Sequence, residues 1–286
     1  MTELAYRAPL PVQPLFGFLG ERAIPGVETF DGLTLRRSIR IEDGRPMVFA
    51  VSADAGTGEP TLEATAAPAA REAVASAVRR WLDLDADAAA VDTTLVRDPA
   101  LRPLVLARPG IRVPGAIDGY ELAVRAVLGQ QVTVRGARTL AGRIVRLAGM
   151  PIVDAPEGIT HLFPTAAEVA GASLDGLGLT GSRIATLRRL SDLVANGELD
   201  LSGAADLDAT AETLLSISGI GPWTVAYIGM RALRDADAFP ATDLGVRRGF
   251  EALGLDTSPR AIAARAERWR PYRAYATMHL WTAAAG

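Results

Sequence analysis

Leu214-Leu215-Ser216-Ile217-Ser218-Gly219-Ile220-Gly221-Pro222-Trp223-Thr224-Val225-Ala226-Tyr227 is the stretch that decides the fold. An apolar helical run stops at Ser218. Gly219-Ile220-Gly221 makes a tight turn, and Pro222 restarts a helix where its missing N–H costs least. Two helices joined by a Gly-x-Gly turn present backbone N–H groups at a helix N-terminus, which is an anion site. Neither glycine has a side chain to obstruct a phosphate. The alternative is a plain helix–helix turn, and Gly-Ile-Gly by itself does not decide between the two.

The neighbouring residues favour the anion site. Pro222-Trp223 places a large aromatic in the first turn of the new helix, where a core would not need one. Phe239-Pro240-Ala241-Thr242-Asp243 ends the next connection with a carboxylate, just ahead of Leu244-Gly245-Val246-Arg247-Arg248. The chain then closes on Trp269, Tyr272, Tyr275, His279 and Trp281, although aromatics make up only 6% of the sequence.

At 286 residues the chain has room for two or three small domains with a buried core. It has no apolar run of about eighteen residues, so no transmembrane helix is expected. The opening Met1-Thr2-Glu3-Leu4-Ala5-Tyr6-Arg7 lacks the apolar region of a signal peptide. Cysteine is absent, which excludes disulfides, thiolate zinc sites, iron–sulfur clusters and a cysteine methyl acceptor. A cytoplasmic monomer is the expectation. Net charge is −3, without the basic excess of a strong DNA binder. The field that matters is local, however. Arg183, Arg188, Arg189, Arg247 and Arg248 flank the proposed site, while acids gather elsewhere, as at Asp83, Asp85 and Asp87. This balance predicts modest, salt-sensitive affinity for nucleic acid. All 30 basic residues are arginine.

Residues 1–88 read as a mixed domain. Pro14–Ala23 is a short helix, Thr34–Ile41 a strand, Glu42-Asp43-Gly44-Arg45 a hairpin turn and Met47–Val51 the returning strand. Thr61–Thr65 is a further strand, and Pro68–Leu82 a helix with Val74, Ala77, Val78 and Trp81 on its apolar face. From residue 89 the periodicity is helical, over Tyr120–Leu128, Val132–Leu147, Thr165–Ala170, Ser182–Ala195, Ala205–Ile217, Pro222–Leu233, Leu244–Leu253 and Pro259–Arg268.

With these motifs assembled, the chain resembles the helix-hairpin-helix DNA glycosylases, most closely their 3-methyladenine DNA glycosylase II (alkylpurine DNA glycosylase) branch. The resemblance rests on several separated motifs in one order. These are Leu15-Phe16-Gly17-Phe18-Leu19, Arg108–Gly115, Val124–Val132 with Gly129-Gln130-Gln131, Leu162-Phe163-Pro164-Thr165, the hairpin with Asp243, and Met278-His279-Leu280-Trp281. It implies an α+β chain: an N-terminal antiparallel sheet domain with helices, then an all-α helix-hairpin-helix core of two helical subdomains. The core would run over 89–286, one subdomain being 119–235 with the hairpin and the other 89–118 plus 236–286.

The implied activity is monofunctional removal of alkylated bases (3-methyladenine, 7-methylguanine and related) from double-stranded DNA in base excision repair. Breaking a nucleotide's glycosidic bond leaves positive charge on the sugar, and a nearby carboxylate stabilises it and orients or deprotonates the attacking water. A helix N-terminus favours such a negative charge. Asp243 suits that role, and equally that of an N-cap for the helix from Leu244. By resemblance it falls on the family's catalytic aspartate. Thr242 departs from the pattern, since a well-characterised member has a second aspartate there. The base must leave the duplex to be reached. Phe18, Trp223, Tyr227 and Trp281 match aromatic pocket positions, and aromatic faces suit electron-poor, often cationic bases; core packing is the alternative for each.

Gln130-Gln131 interrupts an apolar run after Gly129. By resemblance Gln131 takes the place of the residue inserted into the stack, a leucine in a well-characterised member, with Gln130 beside it. The hairpin at Gly219, Gly221 and Trp223 would hold a phosphate. The resemblance also implies that the carbonyls of Leu215, Ile217 and Ile220 can hold a monovalent cation, Na+ or K+. Otherwise no cofactor is expected. His161 and His279 are too few for a metal site. A non-catalytic hairpin module that binds damaged or bent DNA is the competing reading, and it needs neither Asp243 nor the aromatic set.

Overall fold

The computed structural model describes residues 1–41, 44–54 and 59–284. Among them a five-stranded antiparallel sheet is built from β1 (Thr2–Glu3), β2 (Glu28–Phe30), β3 (Thr34–Arg40), β4 (Pro46–Asp54) and β5 (Thr61–Thr65), in the order β1-β5-β4-β3-β2. The expected strand pair is present, with Leu35 opposite Val51 and Arg37 opposite Phe49. Of the expected turn, Glu42 and Asp43 lie outside the described residues, while Gly44 takes a left-handed φ of 82°.

Thirteen α-helices lie among the described residues: α1 (Val12–Glu21), α2 (Arg71–Trp81), α3 (Ala88–Leu95), α4 (Arg102–Ala107), α5 (Gly119–Gly129), α6 (Val134–Ala148), α7 (Ala166–Gly171), α8 (Gly181–Ala195), α9 (Leu207–Leu215), α10 (Pro222–Arg231), α11 (Leu244–Ala252), α12 (Pro259–Ala266) and α13 (Arg273–Ala283). The helices expected from periodicity agree with these to within two residues at each end, except that the stretch expected from Pro68 opens with a 3-10 turn over Pro68–Ala70 and becomes α2 only at Arg71. Their starts are written locally. Asp118, Thr133, Thr165, Thr180, Asp206, Asp243 and Ser258 cap α5 to α9, α11 and α12, each side chain accepting the backbone N–H three residues on. The aromatic tail is itself a helix, α13. Every residue from Ala274 to Leu280 is buried, so no amphipathic stripe marks it in the sequence.

Three apolar clusters fill the molecule. Alternate residues of β4 and β5 (Phe49, Val51, Ala53, Leu62, Ala64) pack with Phe16, Leu19, Val74, Val78 and Trp81. A second cluster surrounds α5, which packs against α6, α8 and α10. The third joins Val91, Leu95, Leu101 and Val105 to Phe250, Trp269, Tyr275 and Leu280.

Charge, not only apolar surface, ties the sheet to the helices. Arg37 on β3 reaches Glu28 on β2 at 2.8 Å and Glu121 on α5 at 2.5 Å, with all three side chains nearly closed to solvent. Arg125 completes the square, 3.3 Å from Glu28 and 3.1 Å from Glu121. Burial works against the charged form of Glu121, but Arg37 and Arg125 outweigh it and hold its carboxyl below the ordinary range. No described helix is long and apolar enough to cross a membrane.

His279 on α13 is 1% exposed, and its Nε2 has no hydrogen-bond partner. Burial, with Arg108 adding to it, pulls its pKa from the ordinary 6.5 to about 4. The unfolded chain therefore takes up this proton first, and stability falls as pH drops from 6.5 towards 4, by up to roughly 3 kcal/mol. Denaturant titrations across that window should show the slope. His279→Leu should flatten it, and an unchanged slope would remove His279 as the source.

Candidate active site

The hairpin between α9 and α10 has one glycine fixed by the protein and one that is not. Gly219 takes φ 91°, and a Cβ there would lie 2.3 Å from Thr186 Oγ1, whose hydroxyl donates to the Ser218 carbonyl at 2.7 Å. Gly221 is extended, with φ −108° and ψ 178°, and a Cβ there would meet nothing within 4 Å. The two glycines expected to act alike therefore differ. Gly219 is required by the fold, whereas Gly221 leaves open space where the turn meets α10. The α10 start also has no side-chain cap. With Pro222 lacking an N–H, the uncapped donors of that first turn begin at Trp223.

Asp243 caps α11 and is half-buried. Oδ1 accepts the Val246 N–H at 2.9 Å and the Trp281 indole N–H at 2.7 Å; Oδ2 accepts the Trp223 indole N–H at 2.7 Å. Trp223 begins α10, Asp243 begins α11 and Trp281 lies near the end of α13, so one carboxylate gathers three separate segments. Gly245 makes this fit, because a Cβ there would come within 2.6 Å of the Trp281 ring and 2.9 Å of Asp243 Oδ1. Among the described residues no arginine pairs with Asp243, although Arg247 and Arg248 follow it on the same helix. Asp98 shows the contrast. It also accepts an indole N–H, from Trp269 at 2.9 Å, but Arg265 holds it at 2.5 Å.

The four aromatics picked from the sequence come together beside that carboxylate, all half-buried. Phe18 from α1 stacks parallel to Trp281, with centroids 6.1 Å apart and planes at 8°. Trp223 stacks on Tyr227 at 5.4 Å, and Tyr227 tilts against Trp281 at 6.3 Å. Two arginines that the sequence reading left out complete the wall. The Arg22 guanidinium lies 3.6 Å from the Phe18 centroid. Arg231 lies 5.0 Å from Phe18 and 5.6 Å from Tyr227, and donates to the Tyr227 hydroxyl at 2.8 Å. Burial alone would raise the Tyr227 pKa, but Arg231, Arg22 and Arg125 turn the shift downward. The sequence does carry a signal for both arginines: each stands four residues after its aromatic, on the same helix face.

The two glutamines part company. The Gln130 side-chain amide donates to the Gly219 carbonyl and to Thr224 Oγ1, both at 2.9 Å, while the Gln130 backbone carbonyl accepts from Arg183 at 2.8 Å. Gln130 is thus a strut from the α5–α6 junction to the hairpin, its amide held on two acceptors. Gln131 is exposed, at a left-handed φ of 57°. In the turn, the Ser218 and Gly219 carbonyls are occupied by Thr186 and Gln130. The carbonyls of Leu215, Ile217 and Ile220 accept no side-chain hydrogen bond among the described residues, and that of Ile217 accepts the Ile220 N–H at 3.0 Å. The described residues hold no cluster of three or more His, Cys, Asp or Glu placed to bind a metal.

The fold is that of the helix-hairpin-helix DNA glycosylases. It superposes on a 3-methyladenine DNA-glycosylase from Archaeoglobus fulgidus with a TM-score of 0.85 at 22% identity, covering 100% of this chain and 98% of that one. A model of the AlkA N-terminal domain family matches residues 1–118. DNA-3-methyladenine glycosylase 2 of Escherichia coli is 34% identical, covering 98% of this chain and 96% of that protein. The chain belongs to this AlkA-type DNA-3-methyladenine glycosylase family. A Mycobacterium tuberculosis relative, "Probable bifunctional transcriptional activator/DNA repair enzyme AlkA", is 38% identical over 98% of this chain, and the chain spans 56%, about half, of that protein's length.

The glycine asymmetry gives a double test by thermal unfolding and by fluorescence anisotropy on lesion-bearing and intact duplexes. Gly219→Ala should lower the unfolding midpoint, at a cost of roughly 1–3 kcal/mol for the forced left-handed φ and the Thr186 clash. Gly221→Val should melt like the unaltered protein yet bind both duplexes about tenfold more weakly, because phosphate contacts carry no sequence information. Normal binding by Gly221→Val would remove the hairpin from the DNA interface.

Proposed function

We propose that this protein is a monofunctional DNA glycosylase that extrudes damaged bases, alkylated purines among them, from double-stranded DNA and hydrolyses the N-glycosidic bond, acting as a monomer. The observation that carries this reading is Asp243. It is a half-buried carboxylate beside a cluster of four half-buried aromatic rings, left without a cationic partner among the described residues of an arginine-rich chain.

An extruded base enters the cleft lined by Phe18, Trp223, Tyr227 and Trp281. As the C1′–N bond lengthens, its electron pair passes to the base and positive charge grows on the sugar, where Asp243 stabilises it. Among the described residues Oδ2 has a single partner, Trp223, and keeps a lone pair for the attacking water. The water oxygen bonds to C1′ and its proton leaves through Asp243 to solvent. The hairpin N–H groups near Gly219, Gly221 and Trp223 hold the phosphate backbone, with a Na+ or K+ ion on the Leu215, Ile217 and Ile220 carbonyls supporting the turn. Gln131 fills the gap left in the stack, where its amide can hydrogen-bond the orphaned base.

Asp243→Asn is nearly isosteric but turns an amide N–H₂ towards an indole donor. Base release from a 3-methyladenine or 7-methylguanine duplex should fall at least a hundredfold or so, while duplex affinity stays within about twofold, since the carboxylate acts on transition-state charge. Retention of activity within about tenfold, some 1.4 kcal/mol of barrier, would leave the non-catalytic binding module as the better account.

Strand cleavage through a Schiff base needs an amine that can lose its proton, which arginine cannot supply. This chain has no lysine side chain. The product should be an intact abasic site, and borohydride added during turnover should trap no protein–DNA adduct. An adduct mapping to the helical domains would overturn water as the attacking group.

A further inference from the structure

The junction between α5 and α6 is a tight turn that carries a residue such turns disfavour. The Val132 N–H donates to the Gly129 carbonyl at 3.5 Å, Gln130 has φ −61° and ψ 122°, and Gln131 follows at φ 57°. These angles are close to those of a type II turn, whose third position takes a positive φ and is usually glycine or asparagine. Here it is Gln131, an exposed glutamine. A side chain in that region of backbone space persists only where the surroundings over-determine it.

The surroundings do so from three sides. Gln130 directs both N–H groups of its side-chain amide at the hairpin, one to the Gly219 carbonyl and one to Thr224 Oγ1. Thr224 is 2% exposed and stands in the first turn of α10. Arg183, in the first turn of α8, donates to the Gln130 backbone carbonyl at 2.8 Å. Beyond the turn Thr133 caps α6, accepting the Gly136 N–H at 3.1 Å, so the chain passes almost directly into a helix. The Gln131 side chain makes no hydrogen bond among the described residues. Its backbone is therefore fixed while its side chain stays free.

We propose that Gln130 is a positioning residue for base extrusion: its amide locks the turn that presents Gln131 onto the phosphate-binding hairpin, so that grip on the backbone and insertion into the stack come from one rigid unit. This rests on the glycosylase reading above, with Gln131 as the inserted residue. Insertion requires a side chain delivered at a set distance and angle from the phosphates already held. A turn free to relax from its positive φ would have to be ordered again in each complex, and that ordering opposes extrusion.

The test is a double-mutant cycle on single-turnover base release from a duplex carrying one 7-methylguanine. Gln130→Met keeps the length of the side chain and removes both donors. Alone it should slow release about tenfold, but in a Gln131→Ala background it should slow release further by less than about twofold, because the strut has nothing left to position. Affinity for an intact duplex, read by fluorescence anisotropy, should stay within about twofold, since the hairpin N–H groups are untouched. An unchanged rate, an equal loss in both backgrounds, or a matching loss of affinity for the intact duplex would make Gln130 merely a brace of the hairpin and overturn the proposal. Should Gln130→Met melt below the assay temperature, Thr224→Val carries the same cycle, since it removes one of the two acceptors, keeps the volume and leaves the glutamine in place. Release at the unaltered rate by Gln131→Ala would take Gln131 out of the stack and the proposal with it. No release by the unaltered protein would instead overturn the glycosylase reading itself, together with what is built on it.

Discussion

The buried square of Arg37, Glu28, Glu121 and Arg125 is the constraint on which the rest of the structure depends. Each charge is costly to take out of water, and removing one partner would leave an uncompensated charge in the interior. The square joins two strands of the sheet to α5, the helix at the centre of the second core. Arg125 also donates to the Arg22 carbonyl at 2.6 Å, which fixes the end of α1. That contact helps hold Phe18 against Trp281, residues more than two hundred and fifty positions apart, so the ring cluster is braced by the neighbouring ion pairs. Arg231 does the same for another joint. It clasps the Pro114 and Gly115 carbonyls, at a point where a Cβ on Gly115 would meet the Arg80 carbonyl at 2.4 Å.

Much of this was legible in the sequence wherever the cause is local. The hairpin, the Asp243 cap and the β3–β4 pair all rest on short-range rules, although β4 runs to Asp54, three residues past its expected end. Helix α13 escaped for the opposite reason: a helix buried on every side offers no pattern of alternating surfaces. The four aromatics Phe18, Trp223, Tyr227 and Trp281 and the carboxylate Asp243 were singled out through family motifs, and the structure brings them together. Their partners were not found. Gln130 reads in sequence as one of two equivalent amides, and only the approach of Gly219 and Thr224 tells them apart. Gly245 looks like an unremarkable helix glycine until Trp281, from the far end of the chain, is laid against it. Arg22 and Arg231 did have a local signature, the four-residue spacing from Phe18 and Tyr227, but that spacing is shared with many solvated helix faces.

Asp98 and Asp243 show what sequence withholds even from careful reading. Each is an aspartate that accepts a tryptophan indole N–H, and each accepts a backbone N–H two or three residues on. Arg265 neutralises Asp98 in a buried setting, where the group serves packing. Asp243 receives two indoles in place of a guanidinium, which orients the carboxylate through neutral donors and leaves its charge uncompensated. The difference lies in which distant side chains arrive, and no spacing rule encodes that.

The same geometry ties the chemistry to the pocket. Trp223 and Trp281 hold the two oxygens of Asp243 and also stack within the four-ring cluster, so the position of the carboxylate and the arrangement of the rings cannot be adjusted separately. The remaining freedom is electrostatic. Thr242 stands where a well-characterised member of the family has a second carboxylate, and it is exposed. Asp243 is therefore the cleft's one acidic group on that turn, facing rings backed by Arg22 and Arg231. A second carboxylate there would offset some of that positive charge without touching the indole clamp. With threonine in its place, the positive charge of Arg22 and Arg231 behind the rings is offset on that turn by Asp243 alone.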